Sequence, residues 1–277
     1  MSEATARGRV GRYRACVVRF VALGDSLTEG VGDPHPRSPN GLLGWADRFA
    51  RQLAEADPTT EYANLALRAK RACDVLTEQV DVALALRPDL VSLWAGGNDI
   101  LRPVLDVDVV LESVDAATAR LSAAGPEVVL VTGFELTGSP VLALLRRRVA
   151  ALNSGLREIA HGHGATLVDV SDPHSWADRR LWAPDRVHPS PLGHARLAHA
   201  VADAARMPLG ALPADPLDRW GAGSRPSGIR PGWRDEARWW REHALPHVRR
   251  WMTRASARED VAPKWANLVR PARDFGW

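Results

Sequence analysis

Val17-Val18-Arg19-Phe20-Val21-Ala22-Leu23-Gly24-Asp25-Ser26-Leu27-Thr28-Glu29-Gly30 runs from a short β-branched apolar segment into a glycine and then a polar turn. An apolar run of this length, rich in Val and stopped by Gly, reads as a strand buried on both faces. The residues after Gly30 are dense in Gly, Pro and Asp as far as Asn40. Beyond them Leu42, Trp45, Ala46, Phe49 and Leu53 recur at helical spacing until Asp57-Pro58. The opening is therefore a strand, a loop and a helix.

The same alternation continues. Strands are expected over 61–65, 90–95, 127–132 and 165–170, and helices over 73–86, 107–124, 141–160 and 191–205. Strands separated by helices of this length need crossover connections, so the sheet should be parallel with both faces covered. The predicted architecture is a three-layer α/β/α sandwich around a parallel, flavodoxin-like five-stranded sheet. Residues 208–232, dense in Pro, Gly and Ala, mark the end of that domain. The remainder, 233–277, is an extension rich in Trp and Arg that is expected to pack on the domain, with an amphipathic helix over 233–252 and less regular residues after it. Seven of the eleven tryptophans lie after residue 219. The full division is a polar leader 1–15, an α/β domain 16–207, a linker 208–232 and the extension.

Composition bounds the function. The chain has 277 residues, 45% hydrophobic and 25% charged, with a formal net charge of +3; that is ordinary for a globular protein. Its arginines are interspersed with acids, so no nucleic-acid partner is expected. Cys16 and Cys73 have no Cys or His neighbour at metal-ligand spacing and read as small buried residues. The leader lacks the apolar run of a secretory signal, and no segment approaches the roughly 18 apolar residues of a membrane span, so a cytoplasmic protein without stable membrane insertion is expected. His161-Gly162-His163 reads as a solvated loop, and His194 and His199 as surface or packing residues.

Three loops carry candidate chemistry. Ser26 follows the first strand directly, where open α/β sheets place their ligand sites, and its own N–H can face an oxygen that its hydroxyl attacks. Alone, Gly24-Asp25-Ser26 is a weak signal, because Gly-Asp-Ser is also common turn chemistry. Gly96-Gly97-Asn98-Asp99 follows the strand over 90–95; the glycines permit a sharp turn, and an Asn amide there can donate a hydrogen bond above the sheet. Asp185-Arg186-Val187-His188-Pro189 precedes the last helix. A carboxylate three residues before an imidazole can hold one ring nitrogen and leave the other to take a serine proton.

Taken together, in this order and at these strand ends, the three resemble the SGNH hydrolases, a subgroup of the GDSL esterases and lipases. The resemblance covers roughly residues 17 to 206. It implies Ser26 as nucleophile, Asp185 and His188 as the rest of a triad, and the Ser26 amide and Asn98 side chain as oxyanion donors, with Gly24, Asp25, Gly96 and Gly97 as motif support. One block departs: Asn64-Leu65-Ala66-Leu67-Arg68-Ala69-Lys70 offers Ala69 where the family has a glycine whose N–H is the middle donor. A positive φ there would cost an alanine on the order of 1 kcal/mol. Arg68, Lys70 and Arg71 flank that position as candidate anion contacts or solvated charges. The resemblance implies a serine esterase acting through an acyl-enzyme on a small-molecule ester, with no cofactor and no metal. The other reading is a weak or inactive binding module on the same fold. Phe134 and Leu136 suggest an apolar acyl pocket beside the loops 33–40 and 133–140; the oligomeric state is open.

Overall fold

In the computed structural model, residues 19–135, 143–206, 241 and 261–275 are described. The leader, the linker, the 233–252 helix (apart from residue 241), Cys16 and Leu136 fall outside them. The elements in chain order are β1 (Arg19–Gly24), α1 (Ser26–Glu29), α2 (Trp45–Ala56), β2 (Glu61–Asn64), α3 (Ala72–Glu78), α4 (Val80–Ala85), β3 (Leu90–Trp94), α5 (Gly97–Ile100), α6 (Val107–Ala123), β4 (Glu127–Val131), α7 (Ala143–His163), β5 (Thr166–Val168), α8 (Pro191–Ala204), β6 (Trp265–Val269) and α9 (Pro271–Asp274).

The sheet order is β5-β4-β3-β1-β2-β6. The five strands of the α/β region are parallel, with Gly24 beside Trp94 and Ala22 beside Asn64. Successive side chains alternate between the faces. Val21 and Leu23 enter a core with Val75, Val114, Leu121, Val149, Leu152 and Leu156 from α3, α6 and α7. Phe20 and Ala22 enter the opposite core with Trp45, Phe49, Leu53, Leu197 and Val201 from α2 and α8. Helices on both faces explain why β1 and β3 are apolar almost throughout rather than alternating.

Two expectations about the fold are corrected. The sheet has six strands, because Trp265–Val269 lies antiparallel against β2, with Tyr62 opposite Val269 and Asn64 opposite Trp265. These are residues expected to be less regular. Phe275 stacks on Trp265 and meets the Tyr62 ring edge-on, with centroids 5.3 and 6.1 Å apart. The added strand covers the row of backbone groups that β2 would otherwise present. The helix expected over 73–86 is broken at Gln79, whose side-chain amide donates to Gly24 O and accepts from Gly24 N, both at 2.9 Å. That reciprocal pair fastens the end of β1, directly before the candidate nucleophile, to the helical layer.

Candidate active site

The three loops expected to converge lie together. Ser26 is the first residue of α1, and its Oγ is 2.9 Å from His188 Nε2. His188 Nδ1 is 2.7 Å from Asp185 Oδ2. The other carboxylate oxygen, Oδ1, accepts the backbone N–H groups of Val187 and His188, each at 3.0 Å. Burial pushes the Asp185 carboxyl up, but the His188 ring hydrogen bond and charge, with the two backbone donors, outweigh it and hold the group far below the ordinary carboxylate range. An ionised Asp185 requires a proton on Nδ1 and leaves Nε2 to accept from the Ser26 hydroxyl.

The loop that carries this pair is closed on itself. Ala183 N–H donates to His188 O at 2.9 Å, Ser190 N–H to Leu181 O at 2.8 Å, and Arg186 sits at φ 57° in the tight turn between. Asp185 and His188 therefore project from one short braced segment rather than from two independent elements.

Gly24 and Gly96 are required by geometry. At Gly24, with φ 151°, a Cβ would stand 2.5 Å from Trp94 O and 2.7 Å from Thr28 Oγ1; at Gly96, with φ 101°, it would crowd the Leu152 methyls at 3.2 Å. Gly97 lies under Asp25, whose Oδ2 would be 3.6 Å from an added Cβ. Asp25 is buried, caps α1 by accepting Leu27 N–H at 3.0 Å, and accepts Asn98 Nδ2 at 3.0 Å. Burial raises its carboxyl to about 7 against the lowering pull of the Leu27 bond and the His188 charge. Asn98 also donates to Lys70 O at 2.9 Å. Both hydrogens of the expected side-chain donor are thus engaged by protein atoms, and an oxyanion would have to share or displace one of them.

Ala69 has φ 66°. The left-handed conformation that favours glycine is therefore held by an alanine, at a cost of about 1–2 kcal/mol. Among the described residues, neither Ser26 N–H nor Ala69 N–H donates a hydrogen bond. The cations around this loop all have acidic partners: Arg68 with Glu29 at 2.5 Å, Lys70 with Glu78 at 2.5 Å and Arg71 with Asp74 at 3.1 Å. Arg68 and Arg71 serve the local structure, and the sequence contained no signal for the Glu29 partner beyond its place three residues after Ser26.

His194 belongs to the site's support. It is fully buried; its Nδ1 accepts Trp45 N–H at 3.2 Å and its Nε2 donates to Val31 O at 3.0 Å, tying α8 to α2 and to the loop after α1. Both bonds together require the neutral ring. Burial lowers its pKa to about 4, with Arg48 and Lys264 adding to the lowering and the Val31 bond and Asp33 opposing it. A depressed imidazole contributes stability that is present above its unfolded value near 6.5 and is lost as pH falls through about 4. The expected result is that the stability advantage of wild type over His194→Gln, measured by urea unfolding, shrinks by about 3 kcal/mol between pH 7.5 and pH 4. An advantage constant over that range would refute this account.

The remaining candidates resolve differently. His161 and His163 are the last turn of α7, not a loop, and His163 Nε2 lies 2.7 Å from Asp115 Oδ1 on α6; among the described residues no cluster of three ligands could hold a metal ion. Phe134 sits in an aromatic cluster, with centroids 5.5 Å from Trp94, 4.7 Å from Trp176 and 4.9 Å from Trp182. Cys73 is half-buried and unbridged. Among the described residues no helix is long and apolar enough to cross a membrane.

The model of the GDSL-like lipase/acylhydrolase family matches residues 22–196. Among solved structures, LAE5, an alpha/beta hydrolase enzyme from the metagenome of Lake Arreo, Spain, superposes with a TM-score of 0.59 at 22% identity, covering 71% of this chain and 98% of that one. A catalytic mutant of the acetylxylan esterase Axe2 from Geobacillus stearothermophilus gives 0.59 at 20% identity, covering 69% and 94%. TesA gives 0.56 at 20% identity, covering 68% and 98%. At these identities the likeness is one of fold. No curated protein matches the chain.

Proposed function

The chain belongs to the GDSL-like lipase/acylhydrolase family, and from that premise we propose that it is a serine esterase that hydrolyses a small-molecule ester through an acyl-enzyme. The observation that carries the proposal is the continuous relay Ser26 Oγ to His188 Nε2 and His188 Nδ1 to Asp185 at 2.9 and 2.7 Å. In this reading Ser26 attacks the ester carbonyl and His188 takes its proton, while ionised Asp185 stabilises the imidazolium. The Ser26 and Ala69 amides and the Asn98 side chain receive the oxyanion. His188 then protonates the leaving alcohol, and water, activated by the same imidazole, releases the acid and restores Ser26. Axe2 is named for acetylxylan and makes acetylated sugars one class to test beside carboxylic esters of increasing chain length.

A second reading, a binding module with little or no hydrolysis, is favoured by one observation: the doubly engaged Asn98 amide beside a strained Ala69. A fluorophosphonate probe separates the two. The esterase reading expects stoichiometric labelling of Ser26, located by peptide mass, together with turnover of p-nitrophenyl acetate or butyrate. Purified protein that stays unlabelled and hydrolyses neither ester would overturn it.

A further inference from the structure

Ala69 lies in a turn that does not hold itself. The turn from Leu67 to Lys70 closes through a long Lys70 N–H to Leu67 O bond of 3.4 Å, with the positive φ at its third residue that such turns normally assign to glycine. Something outside the turn must keep an alanine there. On the near side, the Glu29 carboxylate accepts Arg68 N–H at 2.8 Å, Arg68 Nε at 3.0 Å and Arg68 Nη2 at 2.5 Å. On the far side, Lys70 O is fixed by Asn98 Nδ2. The Glu29 side chain is fully buried and that of Arg68 is 41% exposed, so the acid is the inner member and the guanidinium reaches in to it. Glu29 is also the last residue of α1, the helix that begins with Ser26.

We propose that Glu29 is a positioning residue for the reaction: by gripping both the backbone and the guanidinium of Arg68, it holds the Ala69 N–H in register with the Ser26 hydroxyl. The clamp supplies from outside the conformational support that glycine would supply intrinsically, and it links the oxyanion-binding turn to the nucleophile's own helix. A planar carboxylate with four acceptor positions can receive three donors at once; a carboxamide cannot, and it would turn an N–H toward the guanidinium. The inference rests on the esterase reading and adds a residue to it.

The test is kinetic, on the full chain. Glu29→Gln is expected to lower kcat for p-nitrophenyl butyrate by about 10- to 100-fold, a part of the loss expected when one oxyanion donor is removed, with KM nearly unchanged. The affinity of an alkylboronic acid, whose tetrahedral adduct carries the oxygen that the turn would receive, should fall by a similar factor. In an Ala69→Gly background the same substitution should cost a smaller factor, because glycine takes the left-handed angle unforced; an ion pair serving stability alone would cost the same in both. Should Glu29→Gln fail to fold, Arg68→Lys, which removes the fork and keeps the charge, is expected to lower kcat less severely in the same pattern. Wild-type kcat in a folded Glu29→Gln or Arg68→Lys protein, or a change confined to KM, would overturn the clamp and leave the esterase reading intact. A wild-type protein that neither turns over esters nor takes the fluorophosphonate would overturn both.

Discussion

Ser26→Ala is expected to lower kcat for short p-nitrophenyl esters by about 10⁴-fold or more, with the circular dichroism spectrum unchanged. The size follows from the relay. Removing Oγ leaves His188 with no hydroxyl to deprotonate, so the acyl-enzyme cannot form, and only binding and oxyanion stabilisation of direct water attack remain. The fold should tolerate the change, because Ser26 is half-buried and its side chain is held by one bond, to His188; the cap of α1 belongs to Asp25. Fluorophosphonate labelling should disappear with the activity. Turnover equal to wild type would remove Ser26 from the mechanism.

Lys264→Met is expected to destabilise the protein by about 3–5 kcal/mol at pH 8, the range for breaking one side of a buried ion pair. Lys264 Nζ is sealed from solvent, 2.5 Å from Asp47 Oδ2 and bonded to Leu43 O, while Asp47 Oδ1 accepts Tyr62 OH at 2.8 Å. Burial already raises the Asp47 carboxyl, and Lys264 is the strongest influence lowering it again. Without the ammonium the carboxyl rises further. A raised carboxyl contributes stability that is fully present below its unfolded value near 3.8 and is lost as pH rises through the folded value. The deficit of the variant should therefore be largest at alkaline pH and shrink as pH falls toward 4. Urea midpoints at pH 8 and pH 4.5 measure it. Equal midpoints for the two proteins at pH 8 would show that the pair does not fasten β6 to α2, and adding Asp47→Leu to the variant should restore part of the loss.

The sequence made legible what is local or periodic. The strands 90–94 and 127–131 are short apolar runs bounded by turn residues, and α7 carries Val149, Leu152, Leu156 and Ile159 at helical spacing. The hydrogen-bonded trio of Ser26, His188 and Asp185 was legible because Ser26 directly follows β1 and the other two lie three residues apart in the loop before α8. What escaped depends on partners far along the chain. The periodicity of 73–86 continues through the break, because Gln79 answers to Gly24, 55 residues away. Trp265–Val269 has a short mixed pattern whose strand character comes from β2, about two hundred residues earlier. His194 looks like any helix histidine until Trp45 and Val31 are placed at its two nitrogens. Ala69 posed the right question, but its φ is set by Glu29 and Asn98, which no spacing rule connects.

The Asp185 carboxylate and the His188 ring lie on one self-closed loop, while the Ser26 hydroxyl lies on α1, and this division has a mechanical consequence. Motion of that loop as a unit would part the hydroxyl from the imidazole while leaving the imidazole's bond to its carboxylate intact. The Asp185–His188 pair would travel as a preassembled unit, and the Ser26–His188 hydrogen bond would have to be remade when it returns.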